Sequence, residues 1–251
     1  MDYAMTQNNL GVAYANLAEV QDKTRNCNIA IKAFQEALKV RTLNKLPIEY
    51  AGTQNNLGNA YGILAEVQDK ANNCQSTITA IQEALKVYTL DNFPMDYAGT
   101  QNNLGNAYIT LAEVQDKATN YQSAITAYQE ALKVRTLNKL PIEYAGTQKN
   151  LGNAYDILSR VQDKACNCNL AIKAYQEALK IYALDNFPID YAGIQNNLGV
   201  IYHSLAEVQD KACNCNLAIK AYQEALKVYA KEEFPEVYRI IEENIKNVYE
   251  L

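Results

Sequence analysis

The chain has no tryptophan, one histidine (His203), five prolines and ten glycines in 251 residues. With a single histidine, the side chain that most often moves protons near neutral pH is almost missing. No dispersed acid–base clusters stand in for it, so hydrolase-type catalysis is not expected and no catalytic residue is assigned. No run of about eighteen apolar residues occurs, so no membrane span is expected. No basic-then-apolar leader precedes the first helical pattern, so no secretory signal is read. A basic excess is missing too: 23 Lys and Arg face 28 Asp and Glu, a net charge of −5. Nucleic acid, whose phosphates need a basic surface, is therefore not an expected partner. The chain is 49% hydrophobic and 20% charged, which excludes a disordered polymer and fits a folded soluble protein.

What is present is self-similarity. The string Tyr-Ala-Gly-Thr-Gln-Asn-Asn-Leu-Gly-Asn-Ala-Tyr begins at Tyr50 and again at Tyr97. Variants begin at Tyr3, Tyr144 and Tyr191, each start 47 residues after the last. Pro47, Pro94, Pro141, Pro188 and Pro235 keep the same interval. Five repeats follow, at 3–49, 50–96, 97–143, 144–190 and 191–237. A half repeat or capping helix covers 238–251 and keeps Asn244, Ile245 and Tyr249 in register. Repeats two and three agree at 35 of 47 positions, which points to recent duplication. The repeat ends alternate between Leu-Asn-Lys-Leu-Pro and Leu-Asp-Asn-Phe-Pro, so a two-repeat unit is read as the duplicated piece. The 19 tyrosines are mostly repeat positions counted over and over.

Within repeat two, Leu57, Ala60, Tyr61, Leu64 and Val67 recur at helical spacing. A second stripe runs through Ile78, Ile81, Ala84, Leu85 and Tyr88. Asn72-Asn73 reads as the break between them, with an N-cap candidate. The second helix is expected to run to Asp91-Asn92, because the residue before Pro94 is pushed out of helical geometry. Pattern length predicts a first helix of about twenty residues and a second of about seventeen. Asp96 supplies negative charge to a first turn, where the helix dipole favours it. No strand signal appears. A helix pair cannot bury both stripes alone, so copies must stack as an α-solenoid. Gly11, Gly58, Gly105, Gly152 and Gly199 lie inside helices, where glycine costs about 1 kcal/mol against alanine. A close helix approach explains them, with Ala30, Thr77, Ala124, Ala171 and Ala218 as the expected small partners.

The strings Asn56–Tyr61 (Asn-Leu-Gly-Asn-Ala-Tyr) and Ala124–Leu132 (Ala-Ile-Thr-Ala-Tyr-Gln-Glu-Ala-Leu) resemble the two helix signatures of the tetratricopeptide repeat family. The resemblance spans the chain and recurs five times. Two departures stand out. Glutamine replaces the family's early tryptophan, at Gln7, Gln54, Gln101, Gln148 and Gln195. The repeat also exceeds the usual 34 residues. The extra residues are expected to extend the first helix (Ala65 to Ala71) and the end of the second (Thr89 to Pro94). Long repeats of this kind are similar to those of kinesin light chains and of prokaryotic arrays. The resemblance implies a right-handed superhelix of antiparallel helix pairs, all α, with first helices on the inner wall. It also implies protein binding or scaffolding, no catalysis and no cofactor.

Several residues are candidates for that binding. Asn9, Asn56, Asn103, Asn150, Asn197 and Asn244 hold one position in all six first helices. An amide offers both an acceptor and donors, so such a row can pair with the backbone of an extended peptide. It resembles the ladder by which the repeat superhelix of O-linked N-acetylglucosamine transferase holds peptides. The competing reading is that each Asn bonds the neighbouring repeat. Asn59, Asn106 and Asn153, one turn on, widen the polar strip. Lys149, Asn153 and Asn197 match part of the carboxylate clamp of chaperone-binding members, but Ile240 and Asn244 replace the two further basic residues, so a solvated lysine is the competing reading. Cys27, Cys74, Cys168 and Cys215 share one position with Tyr121 and read as small buried hydrophobes. Cys166 and Cys213 complete two Cys-Asn-Cys triplets, spacing too weak to assign a metal site. Leaderless cysteines are expected to be reduced in the cytoplasm. His203 shares its place with Ala15, Gly62, Ile109 and Asp156, and a place accepting all five is expected to be exposed. With the residues that follow them, these form the variable part of the first helices. They fit either a groove tuned for selectivity or drift on a solvent face.

Met1–Ala4 repeats Met95–Ala98 in residue type, so the chain reads as if cut from a longer array. Its first helix lacks a polar cap, and head-to-tail self-association through that face is expected. The sequence therefore implies a scaffold that binds a protein or peptide of unknown identity in a concave groove. The alternative is a structural spacer or self-assembly module without a groove ligand.

Overall fold

The computed structural model describes residues 2–251. Eleven helices cover these residues, with no strand among them: α1 (Asp2–Val20), α2 (Lys23–Leu38), α3 (Pro47–Ala65), α4 (Lys70–Leu85), α5 (Pro94–Ala112), α6 (Lys117–Leu132), α7 (Pro141–Ser159), α8 (Lys164–Leu179), α9 (Pro188–Ala206), α10 (Lys211–Leu226) and α11 (Pro235–Glu250). They form two compact units, one of residues 2–134 and one of Arg135–Leu251. In the first, α1–α2, α3–α4 and α5–α6 are antiparallel pairs, and α2 packs on α3 as α4 does on α5. In the second, α7–α8 and α9–α10 are the pairs and α11 packs on α10. Complete first helices have 19 residues and second helices 16, as the apolar pattern predicts.

The turns are where the reading needs correction. The first helix of repeat two stops at Ala65 and does not continue to Ala71. Glu66, Val67 and Gln68 donate back to Ile63 and Leu64 in one tightened turn. Val67, placed on the apolar stripe by spacing, is 52% exposed there. Asp69 then reverses the chain in the left-handed region at φ 41°, and Asp22, Asp116, Asp163 and Asp210 do the same at φ 39–45°. An aspartate tolerates that region better than most residues with a Cβ. Asn73 is not the N-cap; Asp69 holds that place. The Asn73 amide donates instead to the Gln68 carbonyl at 2.7 Å. Asn26, Asn120, Asn167 and Asn214 make the same bond to Gln21, Gln115, Gln162 and Gln209 at 2.6–2.8 Å. Each satisfies a carbonyl that the end of the helix leaves without a partner.

The second helix likewise ends at Leu85, short of Asp91. Tyr88 donates to Ala84, and Phe93 to Thr89, so residues 86–93 form two short turns instead of more helix. Phe93 is extended before Pro94, which opens α5 with Asp96 in its first turn. The alternating repeat ends make two kinds of joint. In repeats two, four and five a tyrosine meets a phenylalanine edge-on, Tyr88–Phe93 at 5.8 Å and Tyr182–Phe187 and Tyr229–Phe234 at 5.3 Å. Where the tyrosine is Arg41 or Arg135, the guanidinium donates to Thr53 or Thr147 of the next first helix at 2.9 Å. Each first helix is also tied to its own second helix. Tyr50, Tyr97, Tyr144 and Tyr191 donate to Glu83, Glu130, Glu177 and Glu224 at 2.7–2.9 Å.

Close approach at the in-helix glycines is present, but the partner is not the small residue expected. A Cβ on Gly105 would stand 2.4 Å from the Tyr128 ring. Gly11 meets Phe34, Gly152 meets Tyr175 and Gly199 meets Tyr222 in the same way, at 2.5–2.6 Å. Ala30, Ala124, Ala171 and Ala218 are fully buried beside these contacts. The glycine therefore makes room for a ring one helical turn further along than the alanine. Repeat two is the exception: Ile81 takes the ring's place at 2.9 Å, and the backbone oxygen of Thr77, the partner expected there, stands at 3.3 Å. Gly105→Ala should destabilise the chain by about 1–3 kcal/mol, since the ring has nowhere to move in a packed core. Gly62→Ala should stabilise it by up to about 1 kcal/mol, because a Cβ there meets only ordinary contacts at 3.8 Å. Urea denaturation of the two variants checks both signs.

Candidate functional site

The first-helix asparagines lie where neighbouring first helices meet. In the first unit Asn103 donates its amide to the Asn59 side-chain oxygen at 3.2 Å. In the second unit Asn197 donates to Asn153 at 3.1 Å. Asn103 and Asn197 thus join adjacent repeats, as the competing reading of the ladder has it. Asn9, Asn59 and Asn106 are exposed; Asn56, Asn103, Asn150, Asn153, Asn197 and Asn244 are half-buried. Val12 and Val200 stand at the acceptor position in repeats one and five, so Asn56 and Asn244 have no asparagine acceptor in the preceding repeat.

The buried rings reach this strip from below. The Tyr128 hydroxyl donates to Asn106 Oδ1 at 2.7 Å, and Tyr175 donates to Asn153 Oδ1 at 2.7 Å. Burial raises the pKa of both phenols, so they remain donors. Asn153 Oδ1 consequently accepts two hydrogen bonds, from Tyr175 and from Asn197. Spacing alone does not show this coupling, because the tyrosine lies 22 residues away on another helix.

Lys149 is not a free solvated charge. It pairs with Asp190 at 2.7 Å and lies 5.7 Å from the centre of the Tyr182 ring. Lys149, Asn153 and Asn197 do come together, lining a cavity of about 340 Å³ with Asp190, Asn196 and Tyr229. The aspartate neutralises the lysine, which removes the attraction a carboxylate clamp needs. Asn196 Oδ1 is buried there without a partner. Its counterparts Asn8 and Asn55 are met by Thr53 and Thr100 at 3.1 and 3.4 Å. Ile241 stands at the corresponding position and has no hydroxyl.

The variable wall position is not exposed. Ala15, Gly62, Ile109 and His203 are half-buried, and Asp156 is buried at 8%. Arg160 donates to Asp156 at 3.0 Å across one turn. Cys27, Cys74 and Cys168 are buried, Cys215 is half-buried, and Cys166 and Cys213 are exposed. Burial pushes the thiols of the first three up. Among the described residues no group of three His, Cys, Asp or Glu gathers as metal ligands, and no helix is long and apolar enough to cross a membrane.

Burial raises the Asp156 carboxyl above its ordinary 3.8, and Arg160 offsets only part of that. A carboxyl with a raised folded-state pKa favours folding when protonated, so its contribution is lost as pH rises through the folded value. Asp156→Asn should therefore be more stable than the parent at pH 7. Thermal melts at falling pH should show that advantage shrinking toward pH 3.8.

No family model and no curated protein matches the chain. Solved structures do. It is similar to MamA at 19% identity, over 90% of this chain and 96% of that one, with a TM-score of 0.56. It is similar to BtubC (BKLC) from P. vanneervenii at 18% identity, over 88% and 82%, also at 0.56. It also aligns with TTC0263, a thermophilic TPR protein of Thermus thermophilus, at 18% identity over 99% and 100%, with a TM-score of 0.49. The repeating helix pairs, together with the first two likenesses, show an all-helical repeat array, an α-solenoid in fold, which is the fold that the sequence resemblance to tetratricopeptide repeats implies.

Proposed function

We propose that the chain is a protein-interaction scaffold that holds an extended peptide or protein segment along its first helices, without catalysis or a cofactor. The carrying observation is the strip of part-exposed asparagine amides on successive first helices. In each unit one amide of the strip is braced by the neighbouring repeat, so its outward face is presented without loose rotation. An amide that offers both donor and acceptor pairs with a peptide backbone whatever the side chains. The peptide-contacting set is Asn9, Asn56, Asn103, Asn150, Asn197 and Asn244, with Asn59, Asn106 and Asn153 beside them. Lys149, held by Asp190, sets the position of its neighbours more than it supplies charge. Six unpaired thiols and the acidic balance support a cytoplasmic protein that does not bind nucleic acid.

Asn56→Ala, Asn103→Ala and Asn150→Ala combined should weaken binding on an array of extended peptides about tenfold or more, at about 1 kcal/mol per lost hydrogen bond. Circular dichroism should show unchanged helix content. Unchanged peptide binding in the triple variant removes the ladder.

A second reading, self-assembly, is favoured by one specific observation. Leu10 and Leu17 on α1 are 42% and 37% exposed, while their counterparts Leu57, Leu64, Leu104 and Leu111 are buried. Such a face takes another helix pair, and a second copy of the chain is the partner this reading names. Light scattering should then show association at high concentration that Leu10→Glu abolishes. A strict monomer at every concentration rules the reading out.

A further inference from the structure

Repeat two breaks a pattern that the other repeats keep. In α2, α6, α8 and α10 an aromatic ring lies over the first-helix glycine. In α4 that residue is Ile81. Its Cγ1 stands 2.9 Å from where a Cβ on Gly58 would be, so it fills the inner end of the ring's place. Beyond it the first unit has a cavity of about 360 Å³. Gly58, Cys74, Ile81 and Ala107 give it apolar walls, and Asn59 and Asn103 are among its polar ones. Gly62, also on the wall, leaves it wider than Ile109 would at the same position of repeat three. The volume lies in the range of clefts that hold ligands, and the lining is mixed: the apolar walls meet a polar rim that also includes Glu19, Glu66, Thr77 and Thr110.

We propose that this cavity is an anchor pocket for one phenylalanine or tyrosine ring of an extended peptide. The inference rests on the groove-binding reading and adds to it a side-chain requirement that the asparagines cannot impose. In four of five repeats an aromatic ring of the chain itself lies over the equivalent glycine, so a ring is the group that the space beside Gly58 lacks. The asparagines bear out the same gap. Asn153 Oδ1 accepts from both Tyr175 and Asn197, whereas Asn59 Oδ1 accepts from Asn103 alone. The hydrogen bond that a tyrosine at position 81 would make is thus open to a backbone N–H of the peptide flanking the ring. Burying a ring in such a pocket is worth about ten- to hundredfold in affinity over a methyl group.

The test compares N-acetyl-phenylalanine methylamide with N-acetyl-alanine methylamide on the full chain, by saturation-transfer and titration NMR. The phenylalanine probe should bind about ten- to hundredfold more tightly. Ile81→Tyr and Gly62→Ile each fill the pocket with a residue that another repeat carries at that position, and thermal melts verify that both are folded. Either should remove at least about tenfold of the preference. Equal binding of the two probes, or a preference that survives in a folded filled variant, overturns the pocket. An alanine-rich extended peptide separates the two readings. If it binds parent and Ile81→Tyr alike, with no phenylalanine preference, the pocket fails and the asparagine strip stands. If the phenylalanine preference persists while the asparagine-to-alanine changes leave that peptide's binding intact, the strip fails and the pocket stands.

Discussion

The structure depends on one contact, an aromatic ring laid over a glycine inside the first helix of a repeat. A Cβ at that glycine would stand inside the ring, at 2.4–2.6 Å. The contact lets the two helices of a pair approach closely and buries a large side chain without a void. In repeats three and four it also delivers a phenol to the first-helix asparagine. Tyr128 and Tyr175 are almost fully buried, yet their hydroxyls hold Asn106 and Asn153. In those two repeats core packing and the polarity of the asparagine strip are therefore coupled, and a change in the first alters the second.

Repeat two shows the consequence. Replacing the ring by Ile81 keeps the core apolar but shortens the side chain that should reach Asn59. Beside it lies a cavity that Gly58, Cys74 and Ala107 line together with Asn59, Asn103 and the carboxylates of Glu19 and Glu66. Four ring-bearing repeats and one without make a nearly regular scaffold with a local irregularity. On the proposed reading such irregularity is where side-chain specificity would reside, because the regular asparagine strip would read only backbone.

Helix number, length and pairing were legible from the 47-residue period, since apolar spacing reports directly on which face is buried. The turns were not. Val-Gln-Asp-Lys recurs in every repeat, but spacing alone does not say that its aspartate is left-handed or that an asparagine four residues on holds the preceding carbonyl. Those bonds compete with continued helix and win because they satisfy a helix end locally. The site was legible only as residue types. The row Asn9 to Asn244 could be read off the repeat, whereas the Asn103–Asn59 and Tyr175–Asn153 bonds join helices far apart in the chain.

By itself the sequence determined an all-helical array of five and a half repeats, because periodicity, proline punctuation and the absence of strand signals all act locally along the chain. Only the tertiary structure decided what stands opposite each glycine, which charge Lys149 meets and where Ile81 leaves room. Those outcomes are set by distances between helices tens of residues apart, and no spacing rule within a single helix contains them.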